Sequence, residues 1–159
     1  MKTLLDFAID RDALTRRDTS NLTNEDPAML SHLFFVMPVT LIVGNVAILD
    51  SGQLPLINIA FDSLYTVRSL PRLKLERMIL PPGGGLEFRL EGADATVVNL
   101  HNNATGQSPY LELLQAWENF SYRVRRFLLD EFPELVQHPQ LGEWFLSEAV
   151  SDESGRADF

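Results

Sequence analysis

Residues 27 to 49, PAMLSHLFFVMPVTLIVGNVAIL, run for twenty-three positions without one Asp, Glu, Lys or Arg, in a chain whose formal net charge is -9. A stretch of this length is either a bilayer span, which needs about twenty mostly apolar residues, or the buried centre of a folded domain. Its details favour the second. Pro38 falls mid-run, Ser31, His32, Thr40 and Asn45 are polar, and the flanks are Asp26 and Asp50 rather than basic and aromatic anchors. Between Val36 and Ile48, seven of thirteen residues are β-branched, which favours strand. Gly44 and Asn45 separate two such runs, where a two-residue type II′ turn wants glycine first. The expectation is a β-hairpin, Leu33 to Val43 paired with Val46 to Asp50, and no membrane span.

The first strand of that hairpin does not alternate. Leu33, Phe35, Met37, Val39, Leu41 and Val43 point one way, Phe34, Val36 and Ile42 the other, and a strand apolar on both faces must be covered on both. The second cover is either another part of the chain or another molecule, so self-association through the 33–50 hairpin is one reading of the sequence.

At 159 residues the chain suffices for one domain that buries roughly 70% of its extended surface without metal or disulfide. Residues 1–150 are expected to form it, with 151–159 as a polar acidic tail. Cysteine is absent, which removes disulfides, thiolate metal sites and cysteine nucleophiles and suits a reducing, cytoplasmic compartment. The amino terminus, MKTLLDFAIDRD, meets Asp6 before an apolar run of signal-peptide length can form, so export is not expected.

The acidity is local. Residues 1–126 hold twelve basic and fourteen acidic side chains, whereas residues 127–159 hold Arg156 alone against eight acids. Phosphate-backbone binding needs clustered Lys and Arg, so nucleic acid is not an expected partner. A protein with a basic surface is.

Around the hairpin the pattern predicts a strand near Leu4, Leu5, Phe7 and Ile9, a polar connector over 15–27, and a helix from Pro55 to Leu70 stopped by Pro71. Ile57, Ala60, Phe61, Leu64 and Arg68 follow its spacing. RLKLERMIL reads as a strand and PPGGG as a connector. In LEFRLEGADATVVNL a three-residue loop, Gly92 to Asp94, keeps apolar residues on one face by pairing Leu90 with Thr96, Phe88 with Val98 and Leu86 with Leu100. Ser108 as cap and Pro109 as first helical residue open a long helix to about Phe132. Its apolar stripe is Tyr110, Leu113, Leu114, Trp117, Phe120, Val124, Phe127 and Leu128. LGEWFLSEAV closes the domain as a short helix. The sum is an α+β fold: an antiparallel sheet of five or six strands, with one long carboxyl-terminal helix and one shorter helix packed on it.

No chemical motif stands out. His32, His101 and His138 sit in separate elements without metal-ligand spacing, and a lone histidine is ordinarily a satisfied polar group. Gly83, Gly84 and Gly85 run into a strand rather than the helix start that a phosphate cradle requires. Asp10 and Asp12 lack a third oxygen ligand. Arg123, Arg125 and Arg126 read as a solvated helix face. No catalytic residue, metal or cofactor is expected. The leading reading is a non-enzymatic intracellular protein-binding module, of the immunity or inhibitor type, that turns Asp130, Glu131, Glu134 and Glu143 toward a basic partner. The alternatives are a homo-oligomeric structural subunit, or a small ligand-binding protein or enzyme with a site at His101, Asn102, Asn103 and Asp94.

Overall fold

A computed structural model describes residues 2–80 and 83–147; the expected tail, 151–159, lies outside them. The fold is α+β, and the described residues form seven strands in two antiparallel sheets rather than five or six in one. The first sheet orders β1 (Leu4–Phe7), β2 (Val36–Val43) and β3 (Val46–Pro55) as β1-β2-β3. The second orders β4 (Leu75–Ile79), β5 (Gly85–Glu91), β6 (Asp94–Asn99) and β7 (Thr105–Pro109) as β4-β5-β6-β7.

The uncharged stretch divides in two. Asp26 accepts from the amides of Ala28 and Met29, and with Pro27 behind it starts a helix, α1 (Pro27–Leu33). The hairpin strand therefore begins at Val36, three residues later than the alternation alone predicts. The joint is at Phe35, whose φ of 54° is a left-handed conformation that bulky residues avoid. That turn lets the consecutive rings of Phe34 and Phe35 both enter the core, at 4% and 2% exposure. Met37, Val39, Leu41 and Val43 then bury completely while Val36, Pro38, Thr40 and Ile42 are half-buried. The chain thus covers one face of the strand completely and the other in part. Pro38 lacks an amide, but its carbonyl takes the Ala8 N–H just past the end of β1, so the donor it removes falls at the edge of the β1–β2 pairing rather than within it.

Both hairpin turns depart from expectation. Gly44 and Asn45 have φ of 56° and 71°, the type I′ pattern, because asparagine tolerates the left-handed region. At the other hairpin Glu91 pairs with Asp94 across a two-residue loop, and Phe88 faces Val97 rather than Val98. Only Gly92 of that loop has positive φ, at 61°, as in type II′. This register puts the polar Asn99 on the core face opposite Leu86. Asn99 belongs there because its side-chain amide donates to the Ile48 carbonyl at 2.9 Å, joining the two sheets. β3 also outruns its expected end at Asp50. Its register shifts at Ser51, whose φ is 55° and whose amide donates to Thr40 Oγ1 at 3.1 Å, a bulge rather than a turn.

β7 takes in Ser108 and Pro109, the expected cap and first residue of the long helix. Ser108 instead pairs with Ala95 in the sheet, and its hydroxyl donates to the Pro109 carbonyl rather than capping. The two sheets meet here. A Cβ on Gly106 would stand 2.3 Å from the Val43 carbonyl oxygen, and one on Gly44 2.1 Å from that of Gln107, so glycine at both positions sets how closely the backbones approach.

The long helix, α3 (Tyr110–Glu131), carries the expected stripe, with Leu113, Trp117, Phe120, Val124 and Leu128 wholly buried. It packs on β1, β6 and β7 and on the shorter helix, α2 (Ser63–Leu73). The polar connector is also anchored. Two 3₁₀ turns, Arg11–Leu14 and Leu22–Asn24, bury Ala13, Leu14 and Leu22.

Pro71 does not stop α2 but sits within its last turn. A proline at 71 removes the amide that would bond the Val67 carbonyl. The Tyr110 hydroxyl replaces it, donating to that carbonyl at 2.9 Å. The helix ends at Lys74, whose φ is 66° and whose amide closes on the Leu70 carbonyl.

Candidate functional site

The acidic residues singled out from sequence lie on three elements. Asp130 is exposed and Glu131 half-buried at the end of α3, Glu134 is half-buried on a 3₁₀ turn, Pro133–Gln137, and Glu143 is exposed on helical residues 142–147. Glu131 is bound by the Arg11 guanidinium. Arg123 reaches back to β1, bonding the Asp6 carboxylate and the Leu5 carbonyl with its guanidinium over the Phe7 ring. It therefore acts as a tether rather than a solvated charge. Arg125 lies 5.4 Å from the Trp144 ring centroid and bonds Ser147 Oγ at 3.1 Å.

The His101 group does not converge. His101 is exposed, and its amide donates to Asn99 Oδ1. Asn102 Oδ1 accepts from the Ala104 amide, and Asn103, at φ 62°, donates its own amide to the Asn99 carbonyl. These polar groups close the loop on itself. Asp94 is at the opposite end of β6, about 17 Å away at 3.4 Å per residue. His138 is the buried, satisfied histidine that sequence leads one to expect. Its Nδ1 accepts from the amides of Gln140 and Leu141, and its Nε2 bonds the Glu25 carbonyl at 2.6 Å. Asp10 accepts from the Asp12 amide and from Arg16. Among the described residues no group of three or more His, Cys, Asp or Glu side chains could hold a metal ion, and no helix is long and apolar enough to cross a membrane.

A different set of residues does converge. Leu56, Ile57, Asn58, Ile59 and Ala60 are all buried, five positions in succession, which a regular helix on a surface does not do. The backbone answers with a π-helical segment, Asn58–Asp62, leading into α2. Such a segment leaves carbonyls poorly matched to amides, and two side chains compensate. Ser63 Oγ donates to the Ile59 carbonyl, and Trp117 Nε1 bridges that carbonyl at 3.1 Å and Ser63 Oγ at 2.7 Å.

The extra residue of the π turn rotates Phe61 and Asp62 out of the core. Both are exposed, Phe61 at 38% although its spacing counted it with the core. Together with Leu64, Tyr65 and Arg68 of α2 and Trp144 of residues 142–147 they line an open cleft of about 450 Å³. Phe61 and Trp144 have ring centroids 5.2 Å apart, and Tyr65 is 72% exposed. The Asp62 carboxylate is held on one side. Its Oδ2 accepts from Ser31 Oγ at 2.8 Å and from Asn58 Nδ2 at 3.0 Å, with His32 Nε2 at 3.9 Å. Among the described residues no donor is bonded to its Oδ1. Arg68 is paired with Glu118 at 3.3 Å. Burial raises the ionisation of Tyr110 above its ordinary value, with the Glu118 charge adding to the effect and Arg68 opposing it. The phenol that serves the Val67 carbonyl therefore stays protonated.

The cleft can hold an apolar or cationic group against aromatic faces and a partly preorganised carboxylate. The sequence signal for it is the run LINIA, four apolar residues out of five with no charge, followed at once by FDSLY. Comparison of the chain with family models, with curated proteins and with solved structures returns no match.

Proposed function

We propose that this chain is a non-enzymatic, intracellular protein-binding module that docks a basic partner on the face carrying α2 and the carboxyl-terminal helical residues. The observation behind this reading is the cleft at Phe61, Asp62, Tyr65 and Trp144. Exposed aromatic rings around a carboxylate are the chemistry of interface anchors, where tyrosine and tryptophan supply large contact area at small entropic cost. The exposed carboxylates of Asp130 and Glu143 and the half-buried one of Glu134 add charge that steers a basic surface and fixes its orientation more than it tightens the complex. Glu131, already bound to Arg11, contributes least. The sharpest form of the reading is an immunity-like inhibitor of a basic enzyme.

The test is capture from source-cell lysate by the tagged protein, beside a variant with Asp130, Glu131, Glu134 and Glu143 changed to lysine. The reading expects one stoichiometric basic protein on the parent chain, released by salt and lost from the variant at low salt. Retention of the same protein by both chains would overturn it.

A further inference from the structure

We infer that the cleft between α2 and residues 142–147 is a receptor for an ammonium group, specifically a lysine side chain presented by a protein partner. This deepens the proposed function and rests on it for the source of the lysine. Three observations select a cation. The first is the aromatic lining. Phe61, Tyr65 and Trp144 line the cleft, and the negative quadrupole of an aromatic ring attracts cations. The same cluster already stacks one, since the Arg125 guanidinium lies 5.4 Å from the Trp144 centroid.

The second is Asp62. Ser31 and Asn58 fix its Oδ2, which preorganises the carboxylate at no cost during binding, while no described donor is bonded to Oδ1. Asp62 is 44% exposed, so a primary ammonium can reach its Oδ1 and bring a donor and a point charge together. The third is the local charge. Among the described lining residues the one cation, Arg68, is joined to Glu118 at 3.3 Å, so its charge is offset and the Asp62 carboxylate is left to set the sign inside the cleft. Leu64, in the cleft wall, suits the four-carbon stem of lysine, whose methylenes lie along apolar surface while the head stays polar.

The probes are Nα-acetyl-lysine methylamide and tetramethylammonium chloride, read by tryptophan fluorescence at constant ionic strength against sodium chloride. Trp117 is fully buried, so Trp144 reports on the cleft, and a Trp144→Phe variant identifies its share of the signal. Both probes should give a saturable change that sodium does not. Asp62→Asn, which keeps an oxygen for Ser31, should weaken the lysine probe about tenfold or more, the scale of a charge-assisted bond. Tyr65→Ala removes a side chain that is 72% exposed and so leaves the core intact. It should weaken both probes about two- to thirtyfold, the range of a cation–π contact. A response that fails to saturate, or that both variants leave unchanged, overturns the inference. So does a saturable response to inorganic phosphate that Arg68→Gln abolishes, because the cleft would then be an anion site.

The two readings fail separately. Partner capture that depends on the carboxyl-terminal acids but is indifferent to Tyr65→Ala and Asp62→Asn removes the lysine receptor and leaves the module. Probe binding that those variants abolish, with partner capture unaffected by any acid-to-lysine change, keeps the ammonium site and removes the basic-partner reading.

Discussion

The bond from Tyr110 to the Val67 carbonyl makes a quantitative prediction, because its role depends on a proline 39 positions earlier in the chain. Pro71 provides no amide for Val67, and Val67 itself is fully buried. Tyr110→Phe strips the replacement donor and leaves that carbonyl short of a partner. Losing a buried polar group's partner costs about 1–3 kcal/mol; the hydroxyl is only half-buried, which places this case in the lower half. For a chain of this length that is a fall in Tm of about 2–4 °C per kcal/mol. In a Pro71→Ala background the new alanine amide bonds Val67 in the ordinary helical way, and Tyr110→Phe should then cost under about 0.5 kcal/mol. Urea melts of the four chains, parent, each single variant and the double, give the coupling directly. An equal cost of Tyr110→Phe in both backgrounds would refute the reasoning. The same phenol sets an alkaline limit. Its folded ionisation is raised by burial, so its contribution is complete below about pH 10, where the unfolded tyrosine titrates, and is lost as pH climbs through the folded value. Tyr110→Phe should flatten that limb.

Three further outcomes follow from other parts of the molecule. Glu87 is 3% exposed beneath the guanidinium groups of Arg77 and Arg89, at 2.7 and 2.6 Å, and these two bonds hold its ionisation below the ordinary carboxylate value; its stabilising effect is present above that ordinary value and lost as pH falls through the folded one, so Glu87→Gln should shrink the loss of stability in acid melts, and an unchanged acid limb would count against the pairing. Gly106→Ala forces a methyl group to 2.3 Å from the Val43 carbonyl oxygen and should destabilise by about 1–3 kcal/mol or more, whereas Gly52→Ala, with open space around it, should change urea stability little; equal effects would deny the close crossing of the sheets. His138→Ala frees the amides of Gln140 and Leu141 and the Glu25 carbonyl together and should loosen residues 138–147 by about 1–3 kcal/mol, seen as faster hydrogen exchange confined to that segment and the Glu25 turn.

The elements that were legible in the sequence are those whose burial follows one clean period. The α3 stripe from Leu113 to Leu128 and the alternation of Leu86, Phe88 and Leu90 both place their residues inward as expected. Errors fall where a polar residue does core work or a strained residue breaks a period. The expected three-residue loop pairs Leu86 with Leu100 instead of Asn99 because nothing local reveals that the Ile48 carbonyl, fifty-one positions away, takes the Asn99 amide; one residue of register follows from that. Phe35 hides the end of α1 because a left-handed phenylalanine is not an expected punctuation mark. TGQSP shows no apolar alternation; what makes it a strand is its pairing with β6, and Gly106 leaves the space for the other sheet to cross it.

The candidate site was missed for a related reason. Phe61 fits a regular helical stripe with Ile57 and Leu64, and only the extra residue of the π turn takes it out of the core and aims Asp62 beside it. That turn depends on Trp117 and Ser63, a tertiary arrangement across fifty-four positions. Trp144 joins from helical residues 142–147, which His138 anchors to the body of the fold. The acids of the carboxyl-terminal region were visible as composition, but composition does not show that Arg11 already engages Glu131.

The proposed function has charge complementarity bring a basic partner to this face. The measurement that bears on it most directly is the association rate between the protein and its captured partner as a function of ionic strength, by stopped-flow fluorescence. Raising salt from about 0.01 to 1 M, which shortens the screening length from about 30 to 3 Å, should slow association by at least about tenfold and change dissociation little. An association rate independent of salt would contradict it.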